Sequence, residues 1–508
     1  MLLRLPKAYP HRPKSVGFQQ TQMSLLFFAG DYVYKVKKPV NLGYLDYSTL
    51  NDRHRLCLRE VELNRRLCPD VYLGVVPIVR QDEQVLVEHE GEPVEYAVKM
   101  RRLPPERMLD RLLAVNDVEP SAMEAVASKV ARFHNAGTPS AEIASFGEIA
   151  GIRHNTDENF AQTVPYIGDT ITETNHTLIR RFTDEFLGRH RSLFEERVRD
   201  GRIRDCHGDL HTAHVCLTGD ICIYDCIEFN DRFRYGDVAS EVAFLAMDLD
   251  RFGRSDLSSQ FVDSYVRASG DTGTATLMPF YKCYRAYVRG KVEGFKLNDP
   301  LIGPEEKAAA RWLARTNFLL ARRYAEGRGL LVLVSGLTGS GKSTVASGLR
   351  RLLAGTVFSS DIIRKELAGL APEEHRFEPF AQGIYSPEWT QRTHEEMRRR
   401  AAGVLAQGGC AILDASFLRA GERRDAVEAA AKLSARTIQV ECTAPYGVMV
   451  ERLRQRQAEP SVSDGRPEIL DRQMAVQESG AEADAAQIIR VDSTRSENTT
   501  LEDIWRLL

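Results

Sequence analysis

The chain has 508 residues, more than one hydrophobic core sustains, so two or more domains are expected. Charged residues make up 27% and hydrophobic ones 43%, which excludes a disordered, collagenous or membrane-embedded chain. The net charge of −3 lacks the basic footprint of a dedicated nucleic-acid binder. Apolar stretches are short and interrupted, so no bilayer span and no membrane partner is expected. Residues 1–14 have no continuous apolar run, hence no secretory leader is expected. Nine cysteines, an odd number scattered without a disulfide-like framework, suggest reduced thiols and a cytoplasmic location.

Residues 16–100 are strand-rich, with a hairpin in SLLFFAGDYVYKVKK turning at Ala29-Gly30-Asp31. A helix is expected over 50–67, and EYAVKMRRL reads as a further strand. From about Pro105 the pattern is mainly helical, apart from two short strands around Thr218-Gly219-Asp220. Residues 305–325 form a helix closed by Gly327-Arg328-Gly329. Beyond it, strands are expected at 330–335, 356–360, 410–415, 436–442 and 487–492, alternating with helices. That alternation implies an α/β domain with a parallel, doubly wound sheet. The expected division is 1–326, as a small β-rich lobe (1–103) and a larger helical lobe (104–326), followed by 327–508.

Gly336-Leu337-Thr338-Gly339-Ser340-Gly341-Lys342-Ser343 matches G-x-x-x-x-G-K-[ST] between an apolar strand and a helix that continues through Thr344. Glycines let backbone N–H groups turn toward phosphate oxygens, and a helix N-terminus adds partial positive charge. Lys342 then serves the terminal phosphates and the Ser343 hydroxyl a Mg²⁺ ion. After the second strand, Asp361 is either an acceptor of the attacking hydroxyl's proton or the N-cap of the helix that follows. Arg364 is placed to steady an anionic substrate. The third strand, CAILDASF, ends in Asp414, a Mg²⁺ partner by position. Arg452 and Arg456 lie four apart, either as a lid over phosphates or as a solvated helix face. Arg423 and Arg424 are weaker candidates for the same duty. Together GLTGSGKS, SSDIIRK, ILDASF and the arginine-rich helix resemble the small P-loop kinases of the gluconate-kinase, zeta-toxin and polynucleotide-kinase group. That resemblance implies that Asp361 handles the acceptor hydroxyl, and leaves the acceptor open.

A second phosphotransfer pattern lies at Cys206-His207-Gly208-Asp209-Leu210-His211 followed by Ile223-Tyr224-Asp225. A loop carboxylate and a strand-end carboxylate serve an acceptor hydroxyl and a metal. Lys35 suits ATP phosphates, with Lys37 of equal strand parity competing; Glu60 suits that lysine, with Glu62 competing. HGDLHTAHV, IYDCIEF and YGDVASEVAFLAMD resemble the aminoglycoside-phosphotransferase family, an α+β bilobal, kinase-like fold. The resemblance implies Asp209 as catalytic base, Asp225 as Mg²⁺ ligand, and Met100, within residues 99–103, near an adenine hinge. It departs at His214, where the family has a metal-binding Asn, and Glu228 is a candidate to compensate. No glycine-rich loop occupies 16–24, where Thr21 and Ser24 are the hydroxyl donors available. The dense Cys and His residues around 206–226 match no paired zinc spacing, and FYKCYRAYVRGKVEG reads as a packed helix rather than a nucleic-acid surface. The chain thus resembles bacterial fusions of an aminoglycoside-phosphotransferase-like domain with a P-loop kinase. A bifunctional enzyme is expected, using ATP and Mg²⁺ on small hydroxylated molecules. Two alternatives stand beside it: a nucleotide-sensing or substrate-binding N-terminal module regulating the P-loop kinase, and a C-terminal half that phosphorylates RNA or nucleotide ends.

Overall fold

The computed structural model describes residues 2–43, 45–300, 302–457, 462–478 and 487–508. The chain divides into two compact units. The first comprises Met1–Asn155, Arg189–Asp248 and Gln260–Met278; the second comprises Thr156–Gly188, Leu249–Ser259 and Pro279–Leu508. The second unit therefore includes the helix Pro304–Glu326, which precedes the P-loop strand. Side chains explain the attachment. Arg323 Nη1 donates to the Leu353 carbonyl (2.8 Å), Thr316 Oγ1 to that of Arg351 (3.2 Å), and Arg315 pairs with Glu502.

In the first unit six strands form one antiparallel sheet: β1 (Val16–Gln20), β2 (Ser24–Ala29), β3 (Tyr32–Lys37), β4 (Tyr72–Gln81), β5 (Gln84–Val87) and β6 (Pro93–Arg101). Their order is β1-β2-β3-β6-β4-β5. The hairpin turns where expected, because Gly30 supplies the positive φ (62°) that the β2–β3 turn requires. The helix Leu50–Asn64 starts at Thr49, whose hydroxyl accepts the Asp52 N–H, and buries Leu56, Cys57, Glu60, Val61 and Leu63 at helical spacing. It stops three residues short of the expected 67, the chain turning tightly through Arg65–Leu67. Beyond it β7 (Ile203–Asp205) pairs with β10 (Tyr235–Asp237), and β8 (Val215–Cys216) with β9 (Cys222–Ile223). Cys68 and Cys222 form a disulfide (Cα–Cα 4.9 Å), which corrects the expectation that all thiols are reduced. The fold brings both into one apolar cluster with Val33, Val61 and Met100, although 154 residues separate them in sequence.

The second unit is built on a five-stranded parallel sheet of order β12-β13-β11-β14-β15. Its strands are β11 (Leu330–Ser335), β12 (Gly355–Ser359), β13 (Cys410–Asp414), β14 (Arg436–Thr443) and β15 (Gln487–Asp492), each within a residue of its expected bounds. Strand alternation sends Val332 and Val334 to one face against Val345 and Leu349. Leu331 and Leu333 go to the other, against Met397 and Leu405. Burial on both faces is why β11 reads as an unbroken apolar run; each such side chain contributes about 1.5–3 kcal/mol. Among the described residues no helix is long and apolar enough to cross a membrane.

Candidate functional sites

In the first unit the alternation of β3 places Lys35 and Lys37 on one face of the sheet, beneath the helix that carries Glu60. The competition between them resolves into a shared partner. Glu60, wholly buried, accepts Lys35 Nζ on Oε1 (2.8 Å) and Lys37 Nζ on Oε2 (2.6 Å). Glu62 is exposed and pairs with Arg59. Lys35 reaches on to Asp225 Oδ1 (2.6 Å), whereas Lys37 reaches Glu228, which also accepts the Tyr47 hydroxyl. Glu228, expected to supplement the metal ligands, is thus seated on a lysine and a tyrosine. Burial disfavours charge at Glu60, yet the two ammonium groups hold its carboxyl below the usual range. Glu60→Ala would take one carboxylate from each of two ammonium groups, leaving Lys35 on Asp225 and Lys37 on Glu228. A loss of about 3–5 kcal/mol is expected in a urea titration followed by circular dichroism, with Glu60→Gln losing less.

The loop bearing Asp209 is held by Glu241, from the acidic segment YGDVASEVAFLAMD, and by His134, which no motif marked. Glu241 Oε1 accepts the backbone N–H groups of His207 (2.8 Å) and Gly208 (2.7 Å), while its Oε2 meets His134 Nε2 at 2.8 Å. Burial works against charge on Glu241, but His134 and these N–H groups bring its carboxyl down to about 2. Cys206, His134 and Glu241 cluster closely, but Glu241 is spent on the loop backbone. Gly208 is obligatory for a steric reason. Its φ is +87°, and a Cβ would sit 2.8 Å from the Phe233 carbonyl. Gly208→Ala is therefore expected to displace the loop and lower the stability of the first unit, read as an earlier urea transition by circular dichroism.

Asp209 itself is flanked by His211 Nε2 and His214 Nδ1, each 3.5 Å from Oδ2. His214 Nε2 is 3.5 Å from Asp225 Oδ2. Burial pulls the His214 imidazole down to about 4, so the ring is neutral at pH 7. Asp225 has a left-handed backbone (φ 64°), and its N–H donates to the Tyr72 hydroxyl (3.2 Å). Burial disfavours its charge too, and the Lys35 ammonium overrides that to hold the carboxyl well below its usual range. Met100 lies buried in β6 among Val33, Val98 and Tyr72. Thr21 and Ser24 bond to each other across the β1–β2 turn, with Ser24 N–H on Thr21 Oγ1 at 3.0 Å.

In the second unit the P-loop glycines Gly336, Gly339 and Gly341 have φ of +139°, +79° and +80°. A Cβ at Gly336 would meet the Cys442 carbonyl at 2.4 Å, and one at Gly339 the Met449 carbonyl at 2.8 Å. Leu337 contributes a carbonyl that accepts Lys342 Nζ (2.8 Å), and the Thr338 N–H donates to Gln473 (2.8 Å). Ser340 Oγ is buried with no hydrogen-bond partner among the described residues. Burial lowers the Lys342 ammonium below its usual range. Burial likewise raises the Asp414 carboxyl, against the pull of Lys342 and a hydrogen bond with Ser343. A cavity of about 670 Å³ brings Lys342, Ser343, Thr344, Asp361, Arg364, Asp414 and Arg456 together.

The structure separates several alternatives here. The N-cap of the helix Ser360–Leu367 is Ser359, so Asp361 sits inside the first turn and lines the cavity instead of capping. Arg364 is buried against the Tyr385 ring (4.9 Å) and donates to the Ile384 carbonyl (2.7 Å). Of the two lid arginines, Arg452 binds Ser493 O (2.7 Å) and Gly339 O (3.3 Å), Arg456 lines this cavity, and both line a second one of about 500 Å³ beside Gly339, Gly341 and Thr344. Arg423 is buried on the Phe417 carbonyl (2.6 Å). Sequence reading missed Tyr385, His394 and Asp464, which also line the cavity. They come from segments without a motif, and Tyr385 reaches Asp464 (2.6 Å) across 79 residues of chain.

His394 carries a pH dependence. Burial lowers it from 6.5 to about 3, so it is neutral when folded and charges in the unfolded chain below pH 6.5. Stability is therefore full above pH 6.5 and falls by about 1.4 kcal/mol per pH unit toward pH 3 from this group. All three tryptophans (Trp312, Trp389, Trp505) lie in the second unit, so urea titrations read by their fluorescence report it. His394→Leu is expected to flatten the decline by about one proton.

Both sets of residues fit a phosphate ligand and its metal. The glycine cradle, the partnerless Ser340 hydroxyl and the oxygen donors Ser343 and Asp414 suit a nucleotide phosphate with Mg²⁺. In the first unit Asp225 offers an oxygen and His214 a nitrogen. Comparisons with known proteins match one family model to each set of residues. Residues 49–280 match the family model described as "Phosphotransferase enzyme family", and residues 331–479 the one described as "AAA domain". Uncharacterised proteins of Mycobacterium tuberculosis and Mycobacterium bovis are each 32% identical over 440 residues, 86% of this chain and 86% of theirs. Among solved structures, a gluconokinase from Sinorhizobium meliloti 1021 is 18% identical, covering 35% of this chain and 89% of its own (TM-score 0.26). The aminoglycoside 2'-phosphotransferase-IIIa is 14% identical, covering 60% and 93% (TM-score 0.32).

Proposed function

The chain belongs to the family of these mycobacterial proteins, with a phosphotransferase-family domain followed by a P-loop kinase-like domain, and from that premise we propose a bifunctional ATP-dependent kinase. In this reading residues 1–326 and 327–508 each transfer the γ-phosphate of ATP to a hydroxyl of a small molecule, with a divalent cation. The observation that carries its C-terminal half is the cavity lined by Lys342, Ser343, Asp361, Arg364, Asp414 and Arg456. A phosphate cradle, a carboxylate and a buried guanidinium there surround enough space for a small acceptor.

Phosphoryl transfer needs positioning and charge compensation more than covalent chemistry from the protein. The acceptor oxygen forms a bond to the γ-phosphorus as the bond from that phosphorus to the bridging oxygen breaks, releasing ADP. Asp361 takes the hydroxyl proton, Arg364 orients the acceptor, and Lys342 and Arg456 offset the negative charge spreading over the phosphoryl oxygens. Mg²⁺, when bound with ATP through Ser343 and Asp414, supplies further charge neutralisation. In the N-terminal half Asp209 takes the proton, Lys35 serves the phosphates, and Glu60 holds Lys35.

Two features favour a second reading of that half. Lys35 Nζ is engaged by Asp225 Oδ1 at 2.6 Å, and His214 stands where the family resemblance implies a metal-binding Asn. An N-terminal module that binds nucleotide and regulates its neighbour fits those two facts. A metabolite extract incubated with γ-¹⁸O-labelled ATP and the full chain tests the proposal. Labelled phosphomonoesters in two sets, one lost in Lys342→Ala and one in Asp209→Ala, are expected; a single set lost only in Lys342→Ala selects the regulatory reading.

A further inference from the structure

Three histidines crowd the Asp209 loop, and their hydrogen bonds assign each a different task. His207 Nε2 is 2.9 Å from the Tyr224 carbonyl and must carry a proton; its Nδ1 accepts the Asp209 N–H (3.3 Å). His211 Nδ1 accepts the Ala213 N–H (3.3 Å), so its Nε2–H points to Asp209 Oδ2. His211 thereby orients the Asp209 carboxylate. His214 is the reverse case. Its Nδ1 lies 2.9 Å from the Asp209 carbonyl, which can only accept, so Nδ1 holds the proton and Nε2 presents a lone pair.

That lone pair faces Asp225 Oδ2 at 3.5 Å, while Asp225 Oδ1 is taken by Lys35. Two acceptors therefore converge, beyond hydrogen-bond reach. Their spacing is what two ligands of one ion take, about 3–3.5 Å for bonds of about 2.0–2.2 Å. A ring nitrogen that donates its other N–H to a backbone carbonyl is also the usual support of a metal-ligating histidine. The lone pairs of His207 and His211 accept the backbone N–H groups of Asp209 and Ala213, whereas that of His214 faces a carboxylate. A mixed imidazole–carboxylate pair suits first-row transition dications, whereas Mg²⁺ takes oxygen ligands and holds its waters.

We propose that the N-terminal site binds a first-row transition-metal dication through His214 Nε2 and Asp225 Oδ2, in preference to Mg²⁺. The C-terminal site, with the oxygen donors Ser343 and Asp414, keeps Mg²⁺. The two halves then answer to different metals, and replacement of the family Asn changes the ion instead of abolishing the site. The inference rests on reading the N-terminal half as a nucleotide–metal site, but binding of the metal alone tests it.

The experiment titrates the full chain carrying Asp414→Asn with Mn²⁺ to saturation, in excess Mg²⁺, and reads electron paramagnetic resonance with echo modulation. One Mn²⁺ per chain with a directly coupled nitrogen is expected. His214→Asn should remove that coupling and lower the Mn²⁺-over-Mg²⁺ preference at least tenfold. Mn²⁺ bound without nitrogen coupling in the His214 chain overturns the inference, as does an equal preference in both proteins. The first of these readings needs no folded His214 variant. A direct His214–Asp225 ion pair, the competing arrangement, predicts no Mn²⁺ competition with Mg²⁺ and no coupled nitrogen. If Asp209→Ala leaves phosphotransfer unchanged while the nitrogen-coupled ion remains, the bifunctional reading fails and the metal assignment stands. If Mg²⁺ alone supports Asp209-dependent transfer and no nitrogen is seen, the reverse holds.

Discussion

Lys342→Ala is expected to lower the phosphotransfer of the C-terminal half by about 10²–10³-fold while leaving the transfer that depends on Asp209 in place. The physical reason lies in where the ammonium sits. Lys342 is the first residue of its helix, half-buried, and satisfied by the Leu337 carbonyl within the same loop. A cation held in a low-dielectric cradle needs little reorganisation when phosphate charge arrives, and that pre-positioning is what the alanine removes. Lys342→Met retains most of the packing and should be equally inactive, so a variant active as methionine and inactive as alanine would assign the loss to packing. The measurement is single-turnover release of labelled phosphomonoester, with the urea transition of each variant recorded beside it.

Asp209→Ala should reduce N-terminal transfer by about 10²–10⁴-fold, the range lost with a positioned general base. His211 and His214 flank this carboxylate, and Glu241 fixes the backbone immediately before it through His207 and Gly208. The loop is thus held by residues outside the acid itself, and Asp209→Asn is expected to fold with unchanged stability. A kcat loss shared by Asn and Ala, at constant KM for ATP, is the expected pattern. Loss confined to KM would place Asp209 in binding and not in proton transfer.

How far the sequence carried the reading differs between the two halves. The parallel strands of the second unit were legible to within a residue, because strands buried on both faces are continuous apolar runs bounded by glycine and charge. The Lys342 loop was legible because its spacing follows from what a phosphate demands of a backbone. In the first unit β4 and β5 were not separately drawn. Their residues, YLGVVPIVRQ and QVLV, do not alternate cleanly, since half-buried positions dominate both. The Lys35–Lys37 and Glu60–Glu62 alternatives could not be decided from parity, and folding answered one with a shared carboxylate and the other with burial.

The sequence by itself determined two phosphate-handling patterns, their order along the chain, and the chemical types that carry them. Each rests on local spacing, which backbone geometry translates directly into proximity. Tertiary structure alone decided which long-range partners each group has: Lys35 with Asp225 across 190 residues, Tyr385 with Asp464 across 79, Cys68 with Cys222 across 154. It also decided that His214 turns a lone pair, not a proton, toward Asp225. Such choices depend on which acceptor packs behind each ring, and no spacing along the chain encodes that.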